Sequence, residues 1–273
     1  DVYGWKIDSN LRAYIEGAYQ RNMRLAFRVV VDSRDKRTEF TPQFVKDAGA
    51  KGFMNKGKWS PYSDDPVFQK YYTKFVKALA KDFNDPSKVE FIDGFGLGKW
   101  GEYHTMIYST GDDTPKKAVF DWVTDIYSQA FDKVPVVINY HRWIGAGKDW
   151  VDDEHFAADS EEMLEEAIKK GYSLRHDAFG MTTYYGSWER RFAKKYRNIC
   201  PIIMEGGWIV KSHSYWQDPR GYRKDSHEDV RRGEFDDSKE AHVNMMDFRF
   251  GDTESWFKDA FDLVRRFLRE GGY

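Results

Sequence analysis

Apolar positions along the chain follow two rhythms in turn, a helical spacing of three to four residues and short unbroken runs bounded by polar residues. Ile7, Leu11, Tyr14, Ile15 and Ala18 recur at helical spacing behind Asp8 or Ser9, either of which can cap a helix. "RLAFRVVVDS", residues 24–33, is a β-branched run ending in polar groups, as a strand buried on both faces is. A stretch rich in Gly and Lys follows without a clear period. Helical spacing returns in "DPVFQKYYTKFVKALAKDF" through Phe68, Tyr71, Tyr72, Phe75, Val76 and Leu79, and leads into the strand "KVEFIDGFG". The alternation then repeats. "KKAVFDWVTDIYSQAF" precedes "VPVVINYH", "SEEMLEEAIKKG" precedes "YSLRHDAFGMTTYYG", and "WERRFAKKY" precedes "NICPIIMEGGW". A polar stretch precedes "EAHVNMMDFRF", which hands over to the helix "TESWFKDAFDLVRRFLREGG".

Strands near residues 24, 89, 134, 173, 199 and 241, each with a helix before it, predict a parallel α/β architecture. A doubly wound sheet would carry a Gly-rich phosphate turn opening a helix after an early strand, and "GFGLGKWGE" contains no GxGxxG. A (β/α)8 TIM barrel fits better, because polar residues gather at the C-terminal end of every predicted strand. They are Asp32 and Ser33; Trp100 and Glu102; Asn139, Tyr140 and His141; Arg175, His176 and Asp177; Glu205 and Trp208; Asn244 and Asp247. A barrel has eight strands, so the first two are expected to precede residue 1, with a six-stranded half-open sheet as the alternative. "REGGY" likewise reads as leading into a further element.

Composition narrows the function. No linker divides residues 1–273, and a chain of this length with 41% apolar residues can bury one large core, so a single domain is expected. The 43 basic against 45 acidic residues argue against a nucleic-acid partner and against an anionic membrane surface. The lone Cys200 forms no internal disulfide. Aromatic residues make up 17% of a chain whose mean hydropathy is −0.76, so some rings must lie near the surface, where flat apolar faces beside polar groups suit sugars.

Two strand-end glutamates, Glu102 and Glu205, stand three strands apart. A glycosidic bond needs one carboxyl to protonate the leaving oxygen and another to attack or to activate water, and a separation of about 5–5.5 Å or about 6.5–9.5 Å decides retention or inversion. With two strands upstream the pair would stand on strands four and seven, whose ends face one another in a closed barrel. The block "DPVFQKYYTKFVKALAKDFNDPSKVEFIDGFGLGKWGEYH" and the block "PIIMEGGW" resemble the large clan of retaining glycosidases built on (β/α)8 barrels. The likeness is nearest to its β-galactosidase-like members and related uncharacterised bacterial barrels, and runs over roughly residues 5 to 270. The resemblance implies Glu102 as general acid/base, Glu205 as nucleophile, a carbohydrate substrate and no cofactor. A secreted or periplasmic location is expected with it, although "DVYGWKIDSNLRAYIEGAYQ" lacks the features of a signal peptide.

Burial against Trp100 and Tyr103 is expected to hold Glu102 protonated, while Arg28 or Arg175 keeps Glu205 ionised. Trp100, Tyr140, Trp143, Tyr185 and Trp208 are candidate sugar platforms, and Arg28, His104, Asn139, His141, Arg175 and Asp177 complete the candidate binding set. The clan usually carries an asparagine just before its acid/base, binding the sugar 2-hydroxyl; Gly101 stands there, with Asn139, His141 or His104 as possible substitutes. That departure keeps a catalytically weak carbohydrate-binding barrel as one alternative. A metal-dependent barrel hydrolase using strand-end residues such as His141 and His176 is the other, although no H-E-x-x-H occurs. A nucleophilic triad has no support, since there is no G-x-S-x-G elbow. The stretch "KSHSYWQDPRGYRKDSHEDVRRGEFDDSKE" mixes both charges and reads as a solvated lid.

Overall fold

Runs such as Val136–Asn139 and Ile202–Gly206 are buried at every position, so they can form strands only where both faces are covered. In a computed structural model, which describes residues 9–34, 38–147, 157–180, 184–206, 227–247, 257–258 and 261–271, they do. The chain divides into two compact units: Asp1–Ile138 with Trp143–Tyr172, and Asn139–Arg142 with Ser173–Tyr273.

In the first unit α1 (Ser9–Tyr19) leads to β1 (Leu25–Arg28), which pairs in parallel with β4 (Val89–Asp93); β4 pairs in parallel with β5 (Val136–Asn139). Val29–Val31 continue beyond β1, with Val31 N donating to Gly96 O at 3.1 Å. The Gly- and Lys-rich stretch that showed no period contains α2 (Gln43–Asp47) and an antiparallel hairpin of β2 (Gly52–Asn55) and β3 (Lys58–Pro61). Helix α3 (Pro66–Phe83) starts at Asp65, whose carboxylate accepts from Phe68 N at 2.8 Å, a cap worth about 1 kcal/mol. It buries Phe68, Tyr72, Val76, Leu79, Ala80 and Phe83, and α4 (Lys116–Ala130) buries Val119, Phe120, Val123, Thr124 and Tyr127.

Three buried tyrosines fix the exit from β4. Tyr72 donates its hydroxyl to Phe95 O at 2.8 Å, and Tyr127 lies 2.9 Å from Tyr72, hydroxyl to hydroxyl. Tyr172, past helix α5 (Ala157–Lys169), donates to Gly94 O at 3.1 Å. Backbone carbonyls that have left the sheet thereby find partners without water.

In the second unit β6 (Ser173–Phe179), β7 (Ile202–Gly206) and β8 (Met245–Asp247) pair in parallel in chain order, separated by α6 (Ser187–Tyr196) and α7 (His227–Ala241) and followed by α8 (Phe261–Gly271). Asn139–Arg142 run beside β6, with Tyr140 N donating to Arg175 O at 2.8 Å. The second half of the stretch read as a lid is α7, and part of it is core: Glu234, Phe235, Asp237 and Ser238 are buried. Its charges are tolerated because they are bonded, Asp237 accepting from Gly180 N at 2.9 Å and from Arg190 Nε at 3.1 Å. Residues 207–226, which include the first half of that stretch from Lys211, lie outside the described residues. Among the described residues no helix is long and apolar enough to cross a membrane.

Candidate active site

The segment after β4 is held in an unusual backbone. Gly96, Gly98, Trp100, Gly101, Tyr103 and Thr105 all have φ between +51° and +78°. Only six non-glycine residues among those described have positive φ, and three of them flank Glu102. A left-handed non-glycine residue costs on the order of 1 kcal/mol or more and persists only where the surroundings fix it. Here they do. Tyr103 N donates to Leu97 O at 2.9 Å, Lys99 N to His104 O at 3.1 Å, and Gly145 N to Tyr103 O at 2.7 Å. Gly101 is required by its contacts as well as its φ of 78°, since a Cβ there would lie 2.8 Å from Val29 O.

This backbone directs alternate side chains apart. Tyr103 turns into the core, its ring 4.5 Å from that of Phe95 and its hydroxyl donating to Lys116 O, so it does not form the apolar wall expected against Glu102. Trp100 is part-exposed, lies edge-on to His104 at 5.7 Å, and carries Lys99 Nζ 4.3 Å from its ring centroid.

Glu102, 3% exposed, sits among polar groups. Arg28 Nη1 donates to Glu102 Oε1 at 2.6 Å, and Arg28 Nε donates to Asp93 Oδ2 at 2.7 Å. On the other oxygen, His104 Nε2 lies 3.2 Å from Glu102 Oε2, and His104 Nδ1 lies 2.8 Å from Thr105 Oγ1. Arg28 therefore serves Glu102, where the sequence allowed it to serve Glu205. Asp93 was absent from the expected set. Its signal was its place as the polar last residue of the buried run "VEFID".

In the second unit Glu205, 9% exposed, is ion-paired with Arg175 Nη2, as one of the two sequence options required. Tyr140 and Tyr185 are fully buried, their hydroxyls 2.9 Å apart; Tyr140 stacks on Phe192 and Tyr185 on Phe179. Protein thus covers the ring faces that a sugar platform would need. His176 stands edge-on to both rings and accepts from Ala178 N through Nδ1 at 3.0 Å, which places the proton of the neutral ring on Nε2. Burial pushes its pKa down to about 3, against an opposing contribution from Asp177, whose carboxylate is 3.7 Å away. Arg142 pairs with the buried Glu189 at 2.7 Å. Asn139 and His141 are buried; Trp143, also buried, belongs to the first unit; Trp208 lies outside the described residues. Among the described residues no three His, Cys, Asp or Glu side chains are grouped as a metal ion would need.

No family model and no curated protein sequence matches the chain. Solved structures do. The endo-1,4-beta-xylanase from Caldicellulosiruptor owensensis is 12% identical with a TM-score of 0.49, covering 90% of this chain and 72% of the xylanase. Endo-glycoceramidase II from Rhodococcus sp. is 12% identical with a TM-score of 0.45; the match covers 88% of this chain and only 59% of that protein's length. A GH10 structure from Paenibacillus barcinonensis is 11% identical over 98% of this chain and 68% of its own, with a TM-score of 0.50. At 11% identity the likeness to this last structure speaks to architecture. Together with the parallel strands paired in chain order and separated by helices, it gives this chain an α/β fold, a partial (β/α)8 barrel.

Proposed function

We propose that the chain is a glycoside hydrolase that cleaves oligo- or polysaccharide by the retaining two-carboxylate route, with Glu102 as acid/base and Glu205 as nucleophile. The observation that carries this reading is that both strand-end glutamates are buried carboxylates, each oriented by its own arginine: Arg28 on Glu102 and Arg175 on Glu205.

Arg28 occupies Oε1 of Glu102, so the transferable proton belongs on Oε2, the oxygen facing His104. That proton passes to the glycosidic oxygen as its bond to the anomeric carbon breaks. Glu205, held by Arg175, attacks the anomeric carbon and forms a glycosyl ester. Water then displaces the ester and gives its proton back to Glu102, which restores both groups.

Removing either carboxyl tests the assignment. With aryl xylosides, glucosides and galactosides, Glu102→Gln and Glu205→Gln should each lower kcat/KM by about 10³-fold or more. Azide added to Glu205→Ala should yield a glycosyl azide of inverted configuration, and NMR should show retention at the anomeric carbon for the unmodified protein. Full activity in either Gln variant would refute the mechanism.

A second reading, a catalytically weak carbohydrate-binding barrel, is favoured by one observation. The proton that a general acid must carry competes with the Arg28 ion pair for Glu102. Sugar binding without turnover in the unmodified protein would select it.

A further inference from the structure

Asn139 is 2% exposed, and neither its amide oxygen nor its amide nitrogen has a hydrogen-bond partner among the described residues. Reversing the amide would not help, because both ends are unmatched. A buried amide that lacks both a donor and an acceptor opposes folding, so its retention calls for a partner supplied from outside the chain.

The strand register shows what lies beside it. Tyr140 N donates to Arg175 O, and the Tyr140 ring stands 5.0 Å from the His176 ring, so Tyr140 and His176 are ladder neighbours on one face. Alternation places Asn139 and Arg175 together on the opposite face. Arg175 in turn reaches Glu205, two residues beyond its ladder partner Ile203. One side of this sheet thus presents an unmatched amide, a guanidinium and the carboxylate assigned as nucleophile.

We propose that Asn139 is a specificity-determining residue that binds a hydroxyl group of the sugar unit held at Glu205. A hydroxyl both donates and accepts, which matches the two unmatched ends of the amide, whereas a deoxy or methylated position satisfies neither or only one. The inference rests on the glycosidase reading for its setting but has its own readout.

Asn139→Leu removes the amide and keeps a side chain of similar volume; Asn139→Ser is the smaller alternative if the leucine variant fails to fold. If a sugar is the missing partner, the variant melts at or above the temperature of the unmodified protein. It also loses about 10- to 100-fold in kcat/KM on the aryl glycoside that the unmodified protein turns over best. Stabilisation against heat by the corresponding free sugar should disappear in parallel. A folded variant that keeps kcat/KM within about threefold, or keeps the sugar-induced shift, overturns the proposal. Should the unmodified protein be stabilised by xylose, glucose, galactose, xylobiose or cellobiose without cleaving any aryl glycoside, the hydrolase reading fails. The role of Asn139 then stands or falls on whether Asn139→Leu abolishes that shift. Neither turnover nor stabilisation with any of these sugars overturns both.

Discussion

Arg28, the last residue of β1, lies in register with Asp93, the last residue of β4, and its guanidinium spans that carboxylate and Glu102 at 2.7 and 2.6 Å. Two buried acids are thereby compensated by one part-buried cation. Arg28→Met should remove this shared cation from both and destabilise the fold by about 3–5 kcal/mol, measured by urea unfolding. Because the loss comes from stranded charge, adding Glu102→Gln should recover part of it. The double variant should therefore be more stable than the sum of the single effects predicts. Strict additivity would show that Arg28 does not neutralise Glu102.

Gly101 makes the opposite kind of prediction, since the resembled clan has asparagine where this chain has glycine. Any side chain there meets Val29 O at 2.8 Å while the backbone holds φ at 78°. Gly101→Asn should cost about 1–3 kcal/mol in urea unfolding and should not raise kcat/KM on aryl glycosides. A stable variant with improved turnover would mean that the turn has more room than its contacts show.

His176 should make stability depend on acid. Its pKa is lowered by burial to about 3 in the folded protein, while in the unfolded chain it takes the ordinary value near 6.5. Between these values the unfolded state binds the extra proton, so stability is fully present above about pH 6.5 and falls as pH drops towards about 3. The full shift corresponds to about 5 kcal/mol, an upper bound. Glu189, whose pKa burial raises, acts in the opposite direction at the acid end. His176→Phe, which keeps a ring beside Tyr140, Tyr185 and Phe179, should flatten the decline in urea midpoint between pH 6.5 and 4.5. An unchanged slope would show that another group sets it.

The sequence made some of these features readable and concealed others. The strands were readable because a parallel strand covered on both faces carries an apolar run, such as "VVI" in β5 and "IIM" in β7. Helix α3 was readable through Phe68, Tyr72, Val76 and Leu79, all of which are buried. The β2–β3 hairpin was hidden because each strand has four residues and the pair turns at Lys56–Gly57. Helix α7 was hidden because part of its buried face consists of Glu234, Asp237 and Ser238, and hydrophobic periodicity cannot register burial achieved by hydrogen bonding. At the site, the sequence marks Glu102, Arg28 and His104 one by one, but the partner of Arg28 depends on the Arg28–Asp93 register. The inward course of Tyr103 depends on a φ of 59° that its side chain does not announce.

The segment Gly96 to Thr105, six of whose residues are left-handed, also constrains anyone who would re-engineer the protein. Those six occupy a basin most amino acids avoid and are held there by their neighbours, so stepwise exchange should pass through misfolded intermediates. Chimeras built with related barrels should carry the whole segment, together with Val29–Val31 and the three tyrosines behind it, as a single cassette.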